Sequence, residues 1–255
     1  GSDVECNPVF LAHLYIGLAG CVLFVQAAKI DADLKKALAA DGISLQDYDD
    51  SGAYLSQLNG GNILMDAAKV SVAHLLALPA PTSHSQDTVS VTHDINPSSL
   101  FKACKSDSEI AHMKNAMRKD GVALVHFFAW LEQALANNTA ITELTIAEKL
   151  LEYRSQQAGF IGESFATIAG FNENGALPHY HATEQSFSKI EGNGLLLIDS
   201  GGQYEDGTTD ITRMVAIGKL TAVQKRDCTL VLKAHIALAQ AVFPEGIAAP
   251  LLDVL

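Results

Sequence analysis

Cysteine is scarce in this sequence. Its four residues, Cys6, Cys21, Cys104 and Cys228, lie far apart and none belongs to a C-x-x-C pair. That excludes a disulfide framework and a thiolate zinc site, and the four read as reduced core or surface thiols. Positive charge is also short: 17 Lys and Arg stand against 29 Asp and Glu, for a formal net charge of -12. A phosphate-backbone binder draws its affinity from clustered Lys and Arg, so nucleic acid is excluded as a partner. No basic start with a small-residue cleavage site marks a secretory signal. Residues 9–28, VFLAHLYIGLAGCVLFVQAA, carry no charge over about the length that spans a bilayer. Gly17 and Gly20 interrupt that run between two β-rich pieces, however, so it reads as a strand, a turn and a second buried strand, with no membrane partner.

What is present is ample apolar content, 48% of 255 residues, enough for one large or two ordinary domains. Up to about residue 92 short strands and helices alternate: the hairpin just named, DADLKKALAADG as a helix stopped by Gly42, NILMD as a strand, then AKVSVAHLLAL. A stretch rich in Pro, Ser, Thr and His, residues 79–99, follows and suggests a boundary between domains at 1–92 and 93–255. Beyond it, Ser106-x-x-Glu109, Thr145-x-x-Glu148 and Thr221-x-x-Gln224 have the form of capping boxes that open helices. Ile110, Met113, Met117, Leu124, Phe128, Leu131 and Leu135 recur at helical spacing and predict one buried stripe. A second helix is expected over about 142–159 and a last one over about 221–243, with a strand-like texture between them. The fold class expected is α/β, or α+β.

One strand-like stretch, LLLIDSGGQYEDGTTDITR at 195–213, carries two aspartates, Asp199 and Asp210. An aspartic protease loop fits LLIDSGG locally, but that chemistry needs a second loop of the same form, and the other Asp-Ser-Gly, at 50–52, follows Tyr48-Asp49 and not an apolar pair. A phosphate-cradling loop fails because neither the G-x-G-x-x-G spacing nor a P-loop lysine is present. A metal-bearing hairpin is the third reading. A tight turn at Asp206-Gly207 would set Asp210 opposite Gln203 and leave the carboxylates roughly 13 Å apart, at about 3.4 Å per residue. A wider loop centred between Tyr204 and Glu205 would put Asp199 directly opposite Asp210. Opposed carboxylates can bridge two divalent ions about 3.5 to 4 Å apart, and oxygen donors suit Mn²⁺, Mg²⁺ or Zn²⁺. From spacing alone, simple turn-capping by the two aspartates competes with the metal reading.

These residues resemble the aminopeptidase P (Xaa-Pro aminopeptidase) group of pita-bread metallopeptidases, especially its three-domain cytosolic type. DSGGQYEDGTTDITR is the most specific match. GSDVECNPVF, DGVALVHFFAWLE and SFATIAGFNENGALPHYH look like further family segments, so the likeness runs through nearly the whole chain. The resemblance implies the latter part of a creatinase-like α/β domain followed by the first half of a pita-bread catalytic domain. It implies that Asp199 and Asp210 ligate two divalent metal ions, Mn²⁺ first and Zn²⁺ second, with Asp210 bridging both. His179 would be the catalytic histidine that stabilises the reacting carbonyl, and His181 stays structural. The remaining ligands of the family, a histidine and two glutamates, would lie beyond Leu255, so the chain reads as a middle piece with weak or no activity alone. The implied reaction removes the first residue of a peptide with proline in second position, a metal-bridging hydroxide attacking the scissile carbonyl. A cytoplasmic homodimer is the implied setting. Prolidase and a non-catalytic pita-bread binding module are the alternatives; metal-free creatinase should lack the aspartate pair.

Overall fold

The computed structural model describes residues 3–80 and 88–254. Residues 81–87, in the middle of the expected linker, and Gly1 and Ser2 of the GSDV segment lie outside the described residues. The chain divides into two compact units between His112 and Met113.

In the first unit, β1 (His13–Gly17) and β2 (Gly20–Phe24) form the expected antiparallel hairpin, and β3 (Ile43–Gln46) pairs parallel to β2. Between β2 and β3 runs α1 (Ala32–Ala40), whose N-terminus is capped by Asp31 accepting from the Leu34 amide. It stops where Gly42 takes a left-handed φ of +76. After α2 (Ser51–Ser56) come β4 (Gly61–Met65) and α3 (Val72–Ala77). The stretch read as a linker carries structure of its own. Thr88 onward supplies β5 (Val89–His93), parallel to β4, and Asn96 caps α4 (Pro97–Ala103). The uncharged run 9–28 is thus part of a sheet, and among the described residues no helix is long and apolar enough to cross a membrane. All four cysteines are free thiols.

The second unit is built on α5 (Asp107–Ala136), which enters it from Met113, and α6 (Glu143–Ser155). The strands follow: β6 (Phe160–Glu163), β7 (Ile168–Phe171), β8 (Gly194–Ser200), β9 (Gly202–Tyr204), β10 (Gly207–Thr208) and β11 (Ile211–Ile217). They make two three-stranded sheets, ordered β11-β8-β7 and β10-β9-β6. The last helix, α7 (Ala222–Gln240), opens on the Thr221 and Gln224 capping box that the sequence announced. Ser106 and Glu109 form theirs at the start of α5. At α6 the cap is Thr142, not Thr145: the Thr142 hydroxyl accepts from the Thr145 amide, so Thr145 already lies inside the helix.

The buried face of α5 is Ala116, Asp120, Ala123, Leu124, Phe127, Leu131 and Ala134. Of the predicted stripe, Leu124 and Leu131 are buried and Phe128 and Leu135 pack against the core, while Ile110, Met113 and Met117 are exposed. The stripe is displaced because alanines allow close approach and because a polar residue anchors this face. Arg154 of α6 donates from Nε and Nη2 to the two carboxylate oxygens of Asp120, at 2.6 and 3.2 Å, and Tyr204 of β9 donates to the same carboxylate at 2.9 Å. Asp120 and Arg154 are both 0% exposed. Such a pair gains in a low-dielectric interior only because the geometry is bidentate and further bonded. Burial and the neighbouring Asp120 raise the Tyr204 phenol well above its ordinary range, so it stays a donor. Ile141, Ile146, Leu150, Phe171, Leu196, Ile198 and Ile217 complete the apolar core between these helices and the β11-β8-β7 sheet. Asp120→Ala leaves Arg154 buried without its counter-charge and is expected to cost about 3–5 kcal/mol in urea-induced unfolding of the protein; a loss below about 1 kcal/mol would mean the pair is not holding α5 to α6.

Candidate metal centre

Strand β8 alternates strictly, with Gly194, Leu196, Ile198 and Ser200 buried and Leu195, Leu197 and Asp199 on the other face. An apolar run ending in aspartate therefore delivers the carboxylate to the face away from the core. Asp199 is flanked by Ile168 of β7 on one side and Thr212 of β11 on the other. The Thr212 hydroxyl donates to Asp199 Oδ1 at 2.8 Å, which holds the carboxylate through one of its two oxygens.

Neither register considered from the sequence occurs. Tyr204 pairs with Gly207 and Gln203 with Thr208, so the reversal is a two-residue turn at Glu205-Asp206. Contacts from α5 hold it: Asn115 and Lys119 both donate to the Asp206 carboxylate, and Gly207 closes the turn at φ +155. The same register continues into β8 and β11, where Asp199 faces Thr212 and Ser200 faces Ile211. Asp210 thus falls at the position opposite Gly201, diagonal to Asp199 on the same face. Diagonal neighbours of this kind lie about 7–8 Å apart between Cα atoms, so their carboxylates can reach one shared site. Asp199 is half-buried and Asp210 exposed.

Gly201 makes the arrangement sterically feasible. A Cβ there would lie 1.9 Å from the Thr209 carbonyl oxygen and 2.3 Å from Ser164 Oγ. Thr209, 1% exposed, is held on both sides: its amide donates to the Gly202 carbonyl at 2.9 Å, its hydroxyl accepts from the Gly202 amide at 2.9 Å, and its carbonyl accepts from Ser164 Oγ at 2.8 Å. With Thr209 turned inward, the alternation turns Asp210 outward. The glycines of DSGG serve a backbone crossing and cradle no phosphate.

His179 lies apart from this pair in sequence, in an exposed turn after the short 3-10 helix Asn172–Ala176. Its φ of +58 is left-handed, which few non-glycine residues adopt. Among the described residues it has no hydrogen-bond partner, and no group of three or more His, Cys, Asp or Glu is gathered as a ready metal cage. His181 is exposed as well. Sequence reasoning missed Thr212, for which the only signal is its place two residues after Asp210. It also missed Glu143, Asn174 and Tyr180, whose side chains meet across 37 positions and leave no local pattern.

Comparison with known proteins defines the class. Residues 111–254 match metallopeptidase family M24, and residues 1–109 match the Creatinase/Prolidase N-terminal domain. The chain belongs to metallopeptidase family M24. It is 39% identical to aminopeptidase P2 of Arabidopsis thaliana over 276 residues, which cover 99% of this chain and 39% of that protein. To the Xaa-Pro aminopeptidase ApepP of Drosophila melanogaster it is 34% identical over 261 residues, covering 100% of this chain and 41% of that one. X-prolyl aminopeptidase from Caenorhabditis elegans, described as a cytosolic enzyme with a di-nuclear active site, has a similar structure. Its TM-score is 0.85 at 29% identity, over 98% of this chain and 41% of that one. The chain spans about two-fifths of the length of the relatives it matches.

Because the Gly201 crossing sets the position of Asp210, Gly201→Ala is expected to lower the melting temperature of the protein by several degrees, about 4–8 °C for each kcal/mol in a small domain. A melting curve unchanged from wild type would show that the backbone can part there without cost.

Proposed function

We propose that the protein carrying this chain is a metal-dependent aminopeptidase that releases the N-terminal residue from peptides with proline in second position. One observation carries the reading: in a family M24 chain, Asp199 pairs with Thr212 on the side of the hairpin away from the core, and the same register extended by one pair brings the exposed Asp210 diagonal to it. Their donor chemistry fits. Two carboxylates, one already oriented by a threonine hydroxyl, are hard oxygen ligands suited to Mn²⁺ first and Zn²⁺ second. Asp199 and Asp210 would hold part of the coordination of two such ions. Bound there, the ions supply Lewis acidity for amide hydrolysis.

The chain's own residues do the rest. A bond before proline is a tertiary amide without an N–H, so a peptidase that grips an extended strand through its amides handles it poorly. His179, exposed and without a hydrogen-bond partner among the described residues, is suited to donate to the carbonyl oxygen of the first residue as negative charge develops on it. The Thr212 hydroxyl keeps Asp199 in one rotamer, so ligand geometry is set before substrate arrives. Leu195, Leu197 and Met214 line a shallow apolar depression on the face that carries Asp199, with Gly170 and Gly175 beside it. The reading further takes the protein to act in the cytoplasm, the compartment given for the C. elegans protein, and as a homodimer, as the resemblance implies.

The test is release of the first residue from an Xaa-Pro-Yaa tripeptide and from an Xaa-Pro dipeptide by the full-length protein, metal-stripped and with Mn²⁺ restored. Tripeptide cleavage should depend on Mn²⁺, vanish in Asp210→Ala, and fall about 100- to 1,000-fold in His179→Ala. Cleavage of the dipeptide alone would indicate prolidase. No cleavage by folded, Mn²⁺-loaded protein would indicate a binding module.

A further inference from the structure

Glu143 is 0% exposed, yet among the described residues it has no cationic partner: both of its oxygens meet neutral donors. The Phe171 amide donates to Oε1 at 2.8 Å, and the Ser188 amide donates to Oε2 at 2.7 Å. The Tyr180 hydroxyl donates to Oε2 at 2.8 Å, and Asn174 Nδ2 lies 3.0 and 3.2 Å from the two oxygens. A carboxylate taken out of water is costly unless its lone pairs are filled, and here they are. At the first position of α6 it also sits where the helix dipole favours an acidic group.

The donors are not scattered. Phe171 ends β7, Asn174 lies in the 3-10 helix, Tyr180 follows His179, and Ser188 closes the segment. One carboxylate therefore pins the start, the middle and the end of a long loop with little regular structure, a class of segment that is usually functional when ordered. The backbone is stitched at the same place, with the Glu143 amide donating to the Ser188 carbonyl at 3.1 Å. His179 needs such support. Its left-handed φ of +58 is a conformation that persists only where the surroundings over-determine it, and the next residue is the one Glu143 holds. Burial and Glu143 push the Tyr180 phenol up to about 12, so it remains a donor across the neutral range.

We propose that Glu143 is a positioning residue for the peptidase reaction: gripping Tyr180 and both ends of the 171–188 loop, it holds the His179 turn ready for the substrate carbonyl. The inference rests on the peptidase reading of His179.

The experiment uses the full-length, Mn²⁺-loaded protein with Tyr180→Phe, Glu143→Gln, His179→Ala and the Tyr180→Phe/His179→Ala double variant. Tyr180→Phe removes one link and keeps the ring, so the protein should stay folded. Its kcat on an Xaa-Pro-Yaa tripeptide should fall about 10- to 100-fold with KM little changed, since small misplacement of a catalytic group costs that much. Glu143→Gln, which sets an amide donor against donors, should fall further. In the His179→Ala background, Tyr180→Phe should cost nothing more. Amide hydrogen exchange at 177–181 should quicken in Tyr180→Phe while that of α6 stays as in wild type. An unchanged kcat in Tyr180→Phe, or an equal loss with His179 absent, would overturn the proposal. If the wild-type protein cleaves neither peptide, the peptidase reading fails and the kinetic role with it. Exchange then decides the grip separately: unchanged exchange at 177–181 would overturn that as well.

Discussion

Asn115 and Lys119 of α5 hold the Asp206 carboxylate, Gly207 turns immediately behind it, and the chain reverses at Glu205-Asp206. Everything at the candidate centre depends on that reversal. Had it fallen one residue earlier or later, the cross-strand partner of each β8 residue would shift by two, and Asp199 would meet Asp210 head-on or lose it altogether. As it stands, Thr212 takes the place opposite Asp199 and Asp210 takes the diagonal. One of the two carboxylates is already oriented by Thr212, and the face that carries it is otherwise lined by Leu195, Leu197 and Met214.

Two buried carboxylates, Asp120 and Glu143, carry this geometry into the rest of the second unit. Asp120 ties α5 to Arg154 of α6 and to Tyr204, the residue just before the turn. Glu143 ties the start of α6 to the loop that bears His179. Both are wholly buried, and both are satisfied by partners distant in sequence. The helices thus position the sheet residues through short, charged contacts within the apolar core. One donor, Arg154 Nη1, has no partner among the described residues, a cost the bidentate pair with Asp120 has to outweigh.

Much of the fold was legible from local signals. Gly17 and Gly20 marked a hairpin inside an uncharged run, Gly42 marked the end of α1, and two of three capping boxes opened the helices they announced. Where the reading missed, tertiary contacts decided. The α5 stripe turned toward Ala116, Asp120 and Phe127 because Arg154 and Tyr204 lie on that side. Thr142 displaced Thr145 as the cap because both can serve and the chain had already turned at Thr142. The aspartate pair was identified as a pair from the sequence, but its register was not, since the turn is selected by α5 residues some 90 positions away, as in the Asn115 and Asp206 contact. Glu143 was invisible for the same reason.

The central claim is that Asp199 and Asp210 share a metal site set by the hairpin register. Anomalous scattering from crystals of the full-length protein grown with Mn²⁺ tests it most directly. The account predicts two peaks within a few ångströms of each other, both about 2.0–2.3 Å from Asp210 oxygens and one equally close to Asp199 Oδ2. Peaks that avoid the hairpin, with Asp199 bound to Thr212 alone, would contradict it.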